Sequence, residues 1–184
     1  MIEYQAGLIG DYSQFNVTDN IITGEGHSFG IETMQTININ DLVVNISYTY
    51  ARAFRAFDDI MLGQPYFANY DRPHDLNINL ACPLDDAWDF NLQFIYASGN
   101  RFTAPNKRYM MQGLILNGYG QKNSYTFPAY HRMDINFTRN RKWQNGWKSE
   151  LQLGLFNLYS RLNPYLIYFS MSGSVEEGSV NISA

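Results

Sequence analysis

Cysteine, charge and long apolar runs are all scarce in this sequence. Cys82 is the only cysteine among 184 residues, so no internal disulfide can form. Charged residues make up 16% of the chain and the formal net charge is -4, whereas a nucleic-acid surface needs clustered Lys and Arg. No segment approaches the roughly 18 consecutive apolar residues of a membrane-spanning helix. These scarcities argue against a disulfide-stapled domain, a nucleic-acid partner and a helical anchor.

A signal peptide and the common catalytic motifs are also missing. The opening residues, MIEYQAGLIG, lack a basic region followed by an apolar run. If the protein works outside the cytoplasm, we expect that this chain has lost its export signal or is a fragment. No glycine-rich phosphate loop occurs, and no Ser, Cys or carboxylate pair has a nucleophile setting. We therefore expect no enzyme activity, no cofactor and no metal.

The sequence has instead a strict alternation of apolar and polar residues. Between Trp88 and Tyr96 every second residue is aromatic or aliphatic, and Asp89, Asn91 and Gln93 lie between them. Side chains at i and i+2 share one face of a strand, so this pattern predicts β-strands with one apolar and one polar face. The same alternation recurs at 42–50, 76–80, 132–138 and 150–155.

The segments between these strands are short and long in turn. Turns rich in Asn, Asp, Pro and Gly are predicted at 38–41, 83–86 and 140–146, and long segments at 53–72 and 98–127. In an up-and-down meander, consecutive connections emerge at opposite ends of the sheet. All the short turns would therefore lie at one end and all the long loops at the other, which is typical of outer-membrane barrels.

Aromatic residues lie near the predicted strand ends. Trp88 and Trp147 follow short turns. The tyrosines near the long segments are Tyr48, Tyr50, Tyr96, Tyr130 and Tyr159. Trp and Tyr favour the lipid interface because each has an apolar body and a polar edge. With the loop asymmetry, we interpret them as an interfacial girdle rather than as core aromatics at strand ends.

The alternation alone leaves open which medium covers the apolar face. A soluble β-sandwich also alternates and would bury this face between two sheets. Strand length favours lipid, because several stretches alternate for about nine to eleven residues, against about five or six in globular proteins. We predict an all-β, antiparallel up-and-down meander that is part of a transmembrane β-barrel. The alternatives are a soluble all-β carbohydrate-binding module and a small complete barrel, which would need a signal peptide and a closing C-terminal aromatic residue.

An ordered set of segments resembles one family. The segments are GHSFGIE (26–32), ISYTYARAFRAF (46–57), YDRPHDLNINL (70–80), YASGNRFTAP (96–105), PAYHRMDINF (128–137) and FNLYSRLNPYLIYF (156–169). In this order they resemble the C-terminal barrel strands of TonB-dependent outer-membrane receptors of the Bacteroidetes type, over most of the chain from Gly24 to Phe169. Pro73 departs from the family, which more often has a basic residue there, but proline is tolerated at the first residue of a strand.

The resemblance implies a function and partners. Such receptors import scarce or bulky nutrients, namely iron chelates, vitamins or oligosaccharides, through a barrel of about 22 strands in the Gram-negative outer membrane. The energy reaches them through TonB with ExbB and ExbD, and outer-membrane lipid and a substrate-binding lipoprotein are further implied partners. No plug domain or TonB box is matched, and the family's aromatic-ended last strand is absent. Residues 1–184 are thus expected to be about seven strands of the C-terminal part of the barrel.

An isolated piece of barrel has a physical difficulty. Only a helix or a closed barrel satisfies all backbone groups in lipid, and each unmet group costs several kcal/mol. An open sheet has two unpaired edges, which also promote aggregation. We therefore expect that this chain alone neither inserts stably nor transports.

The histidines are the candidate metal ligands. The chain has three, His27, His74 and His131. His74 and His131 each open a strand beside an arginine, Arg72 or Arg132, and a metal site would need both histidines on neighbouring strands together with further ligands. Hydrogen bonding and charge pairing at the barrel rim or lumen explain these residues better than metal binding or acid–base catalysis.

Six residues in the long segments are candidate nutrient contacts, because loops on a rigid scaffold carry recognition. Aromatic rings stack on sugar faces, and Arg binds carboxylates and phosphates. The six are Tyr66, Phe67, Arg101, Phe102, Arg108 and Tyr109. Packing of loop on loop would explain the same residues, so the substrate-binding residues and the nutrient stay unassigned.

Overall fold

The computed structural model describes residues 2–4, 21–111 and 114–167. Its first strands are β1 (Ile2–Tyr4), β2 (Ile21–Thr23), β3 (Glu25–Ile39), β4 (Leu42–Ala56), β5 (Tyr66–Phe67), β6 (His74–Pro83) and β7 (Trp88–Ala97). The remaining strands are β8 (Arg101–Phe102), β9 (Pro105–Met111), β10 (Leu114–Tyr119), β11 (Tyr125–Thr126), β12 (Tyr130–Lys142) and β13 (Lys148–Leu155). In these ranges no α-helix occurs, and no helix could cross a membrane.

The chain is an antiparallel all-β structure, as predicted. Six long strands form the main sheet in the order β3-β4-β6-β7-β12-β13, and the short β5 pairs with β4. Neighbours in this sheet are therefore neighbours in chain order among the long strands. In the described residues the sheet is open, with β3 and β13 at its two ends. Three separate two-stranded pairs are formed by β1 with β2, β8 with β11, and β9 with β10.

The chain divides into two compact units. The first contains Met1–Ile31, Tyr50–Pro73 and Gly99–Phe127. The second contains Glu32–Thr49, His74–Ser98 and Pro128–Ala184. The second unit therefore holds β6, β7, β12 and β13 whole, whereas the first holds the short strands of the two long segments.

Strand register sorts the side chains of the second unit into two faces. Two neighbouring rows across β6, β7, β12 and β13 are Leu80–Leu92–Ile135–Leu155 and Ala81–Asn91–Asn136–Gly154. The apolar residues share one side because the predicted alternation is in phase on all four strands. We call the side with Leu92 the apolar face and the side with Asn91 the polar face.

The turns agree with the prediction better than the long segments do. Asn40 and Gly146, in the turns after β3 and β12, have φ angles of 51° and 85°, which Asn and Gly adopt most readily. However, β12 extends to Lys142, past the predicted turn start at Asn140. The segment 98–127 is not an irregular loop, since it contains β8 to β11. These short strands escaped prediction because their pairing depends on packing rather than on periodicity.

Buried apolar residues lie almost entirely in the first unit. Ile22, Phe57 and Tyr66 form the hydrophobic cluster there. In the described part of the second unit, Ala97 is the one buried hydrophobic residue. None of the described Leu, Ile, Val, Met or Phe side chains of the apolar face is buried in protein.

Candidate functional site

The polar face of the second unit carries amide side chains around a shallow hollow. The hollow has a volume of about 280 Å³. Its polar lining residues are Asn45, Asn79, Asn91, Gln93, Asp134 and Asn136. Amides donate and accept hydrogen bonds without carrying charge, so this surface suits water and neutral polyhydroxy compounds. A second hollow of about 310 Å³ on this face continues to Asp89 and Thr138.

Several polar-face side chains are already oriented by each other. Asn79 Nδ2 donates to Asn77 Oδ1 at 3.1 Å, two residues along the same strand. Across two strands, Thr36 Oγ1 donates to Asn45 Oδ1 at 2.8 Å. These bonds show that Thr36 and Asn45 lie on one side of the sheet. These hydrogen bonds fix the orientation of Asn77, Asn79 and Asn45 on the polar face.

An ion pair lies at one end of the polar face and contacts the segment after β13. Arg132 donates to Asp134 Oδ2 at 2.9 Å, and the backbone N–H of Asn157 donates to the other oxygen, Oδ1, at 2.9 Å. The Arg132 guanidinium also lies 4.1 Å from the ring centre of Phe156. Arg132 and Asp134 therefore fix Phe156 and Asn157 to β12.

The same segment is fixed to the start of β12 by amide and guanidinium contacts. His131 donates its backbone N–H to Asn163 Oδ1 at 3.1 Å, and Asn163 Nδ2 donates back to the His131 carbonyl at 3.0 Å. Arg161 Nη2 donates to the carbonyl of Ala129 at 3.0 Å. Arg161 and Asn163, in the segment that carried part of the family resemblance, thus fix this segment to the start of β12.

A buried carboxylate organises the first unit. Asp71 is 1% exposed and receives Arg52 Nε at 3.2 Å and Arg101 Nε at 3.1 Å, one on each oxygen. The backbone N–H of Ala53 donates to Asp71 Oδ1 at 2.8 Å. The Phe67 ring contacts both guanidiniums, with its centre 4.6 Å from Arg52 Cζ and 4.3 Å from Arg101 Cζ. One carboxylate and one ring therefore join β4, β8 and the segment between β5 and β6.

Sequence reasoning did not identify Asp71. The usable signal was the pair of arginines in the aromatic-rich stretch YARAFRAF, at positions 52 and 55. Arginine in an apolar setting needs a carboxylate or carbonyl partner. The sequence does not indicate which carboxylate is the partner, because several acidic residues follow in the next loop.

The six candidate nutrient contacts divide into two groups. Tyr66 is buried, Phe67 and Arg101 belong to the Asp71 cluster, and Phe102 packs 4.9 Å from the ring of Phe127. These four pack loop on loop. Arg108 and Tyr109 remain exposed on β9. On this hairpin a Cβ on Gly118 would lie 3.2 Å from Lys107 Cβ and in ordinary contact, at 3.4 Å, with the Tyr109 ring.

The histidines form hydrogen-bonded pairs with tyrosines. His74 Nδ1 and the Tyr48 hydroxyl are 2.7 Å apart, and His131 Nδ1 and the Tyr159 hydroxyl are 2.8 Å apart. His27 stacks on Phe54 with ring centres 5.0 Å apart. The pairing of β7 with both β6 and β12 places His74 and His131 two strands apart, and not on neighbouring strands.

Metal coordination has no counterpart in the described residues. No group of three or more His, Cys, Asp or Glu side chains there could hold a metal ion. By register, His131 shares a row with Leu76 and Tyr96 at the end of the apolar face. Tyr130 is different from the other girdle tyrosines, because it lies on the polar face and accepts a hydrogen bond from Arg132 at 3.1 Å.

The second unit thus offers a hydrated amide surface on one side and an uncovered apolar surface on the other. The first unit offers a tightly held loop cluster and the exposed residues Arg108 and Tyr109. The amide side chains of the second unit can donate and accept hydrogen bonds with a polar solute. Comparison of the chain with family models, curated proteins and solved structures found no match.

Proposed function

We propose that this chain is part of the transmembrane β-barrel of a TonB-dependent receptor that imports a scarce or bulky nutrient across the Gram-negative outer membrane. The nutrient classes are iron chelates, vitamins and oligosaccharides. The observation that carries the proposal is the apolar face of the second unit. Its rows run in register across four strands, and none of its aliphatic side chains is buried in protein.

The energetic cost of this face in water supports a lipid environment. Leu151, Leu153 and Leu155 on β13 are each more than half exposed, at 51%, 55% and 59%. Leaving a Leu, Ile or Phe side chain in water instead of burying it forfeits about 1.5 to 3 kcal/mol. Monomeric soluble proteins rarely expose apolar patches larger than a few hundred Å². Acyl chains would cover all of these rows at once.

Strand length and end residues support the same environment. The strands β6 and β7 have 10 residues each, which matches the roughly 9 to 11 residues of a tilted membrane strand. On the apolar face, Trp88 lies at one end of β7 and Tyr96 at the other. This order, with apolar side chains between amphipathic rings, is typical of a strand that crosses a bilayer.

The polar face and the sheet edges complete the proposal. The amide-lined hollows would face a hydrated interior that a polar nutrient can cross. In the described residues, β3 and β13 each have a neighbour on one side only, and a strand edge in lipid is costly. The proposal therefore includes further barrel strands and a plug from a longer protein, with TonB, ExbB, ExbD and a substrate-binding lipoprotein as partners.

The soluble carbohydrate-binding module is the less supported alternative, although the amide surface would suit a sugar. That alternative expects short strands and a dry layer of aliphatic side chains between two sheets. The long strands have 8 to 15 residues, and the described apolar face has no buried aliphatic side chain. We therefore propose no second function.

The function can be tested by nutrient uptake in the host cell. The gene that encodes this chain is deleted, and uptake of labelled ferric chelates, cobalamin and oligosaccharides is measured beside a strain that lacks TonB. The proposal predicts that at least one nutrient fails to enter in both deletion strains and that the re-introduced gene restores it. Normal uptake of every class in the gene deletion, or loss that TonB deletion does not reproduce, would overturn the proposal.

A further inference from the structure

Two arginines lie on the apolar face, near the turn between β12 and β13. Arg139 pairs in register with Trp88 on one side and Leu151 on the other, and Arg141 pairs with Ser149. Arg139 lies two residues and Arg141 four residues beyond Phe137, so both share its face; Phe137 itself lies in a row with Phe90 and Leu153. Exposed guanidiniums thus extend the apolar rows toward the turn.

Each of these guanidiniums is seated on an indole. Arg139 Cζ lies 5.4 Å from the ring centre of Trp88, and Arg141 Cζ lies 3.9 Å from the ring centre of Trp143. The indole face attracts the cation and covers one side of the planar group. Trp143 is itself held by a hydrogen bond from Nε1 to Ser149 Oγ at 3.4 Å. The N–H edges of both guanidiniums stay accessible.

The carboxylates of the same strands lie on the opposite side of the sheet. Asp89 is in register with Thr138, and Glu150 with Asn140, so both belong to the polar face. Asn140 Nδ2 donates to Asp89 Oδ2 at 3.1 Å. Within the described ranges, no ion pair joins Arg139 or Arg141 to a carboxylate. Strand parity therefore places Arg139 and Arg141 on the face opposite Asp89 and Glu150, whereas Lys142 and Lys148 share the face of these carboxylates.

We propose that Arg139 and Arg141 bind the phosphodiester groups of anionic phospholipid headgroups at the membrane–water interface. This inference rests on the proposed function, because only a lipid-covered apolar face brings headgroups to this position. A guanidinium presents N–H donors in a fork that matches phosphate oxygens. The indoles orient the forks and occupy the interfacial depth that Trp prefers.

The tryptophans make the site directly observable. The chain has three tryptophans, and all three lie at this site or beside it: Trp88, Trp143 and Trp147. Trp147 is 73% exposed. Tryptophan fluorescence therefore reports on this end of the apolar face with no signal from the first unit.

The experiment uses the full chain in zwitterionic phosphocholine micelles, where an open sheet does not have to span a bilayer. Phosphatidylglycerol is titrated in, and tryptophan fluorescence is recorded for the wild type, Arg139→Gln/Arg141→Gln and Lys107→Gln/Arg108→Gln. The control pair removes the same charge from the β9–β10 hairpin. We expect saturable changes with equal midpoints for the wild type and the control, and a midpoint about tenfold higher for Arg139→Gln/Arg141→Gln.

Two further arms separate the possible failures. Phosphatidylcholine with brominated acyl chains tests whether these tryptophans contact lipid at all, and inorganic phosphate tests whether a free anion suffices. Equal phosphatidylglycerol midpoints in all three proteins, with bromine quenching retained, would overturn the headgroup site and leave the proposed function standing. Saturation by inorganic phosphate at the same concentration would overturn the assignment to lipid. Absence of bromine quenching would contradict the proposed function as well.

Discussion

Arg101 donates from Nε to the carboxylate of Asp71 at 3.1 Å, although 30 residues separate them in the chain. Arg101 is anchored further by Nη1, which donates to Thr126 Oγ1 at 2.7 Å. The Asp71 side chain is fully buried, and Arg52 holds its other oxygen. The ion pairs of Asp71 therefore hold together the two long segments, 53–72 and 98–127, which show no alternation of apolar and polar residues.

Replacing this carboxylate should open the cluster. In Asp71→Asn, an amide replaces the charge and leaves two guanidiniums without their counter-ion, so we expect a loss of about 3 to 5 kcal/mol in local stability. The backbone N–H of Ala53, which donates to Asp71 Oδ1 at 2.8 Å, should exchange its hydrogen much faster. Amide hydrogen exchange in micelles measures this. The exposed Asp59→Asn is the control and should change Ala53 exchange little.

Replacement of Gly99, in the first unit, should destabilise the protein for a steric rather than an electrostatic reason. A Cβ on Gly99 would overlap the backbone carbonyl of Phe127, which cannot rotate away as a side chain can. We expect Gly99→Ala to destabilise the protein by about 1 to 3 kcal/mol, as overpacking does elsewhere. Urea unfolding in micelles gives the comparison. In Gly154→Ala, the nearest atom to the new Cβ is Asn136 Oδ1 at 3.4 Å, so a similar loss there would refute the steric reason.

The tyrosine–histidine pairs should contribute stability and not metal affinity. Tyr48→Phe and Tyr159→Phe each remove a hydroxyl that is hydrogen-bonded to a histidine Nδ1, which should cost about 1 kcal/mol. Tyr119, 63% exposed, provides the control Tyr119→Phe. Thermal unfolding with and without zinc measures both effects. A zinc-dependent rise in the midpoint that is lost in His74→Ala would revive the metal hypothesis.

The sequence predicted the features that follow from a period of two residues. The faces of β6, β7, β12 and β13 could be assigned because alternation fixes which residues share a side, and the turn at Asn40 because Asn and Asp punctuate the pattern. Short turns predict the pairs β3–β4, β6–β7 and β12–β13, and the up-and-down meander predicts the two pairs that the long segments join, β4–β6 and β7–β12. None of this required knowledge of tertiary contacts.

The features that sequence reasoning missed depend on partners distant in the chain. The pairing of β8 with β11 and the Asp71 cluster leave no periodic trace, since each strand has only 2 residues and each ion pair joins separate loops. The end of β12 at Lys142 was missed because polar residues there look like a turn. The face of Tyr130 was missed because being near a strand end does not fix which side a residue takes.

In the proposed barrel, the apolar face contacts lipid while the polar face contacts water. Bimane labels on two neighbouring residues of β7 distinguish these two environments. The labelled variants are Leu92→Cys and Asn91→Cys, each in a Cys82→Ala background. In mixed micelles, brominated acyl chains should quench the label at position 92, and aqueous iodide should quench the label at position 91. Equal quenching at both positions, or a label at position 92 shielded from both quenchers in a soluble monomer, would show that the apolar face does not contact lipid.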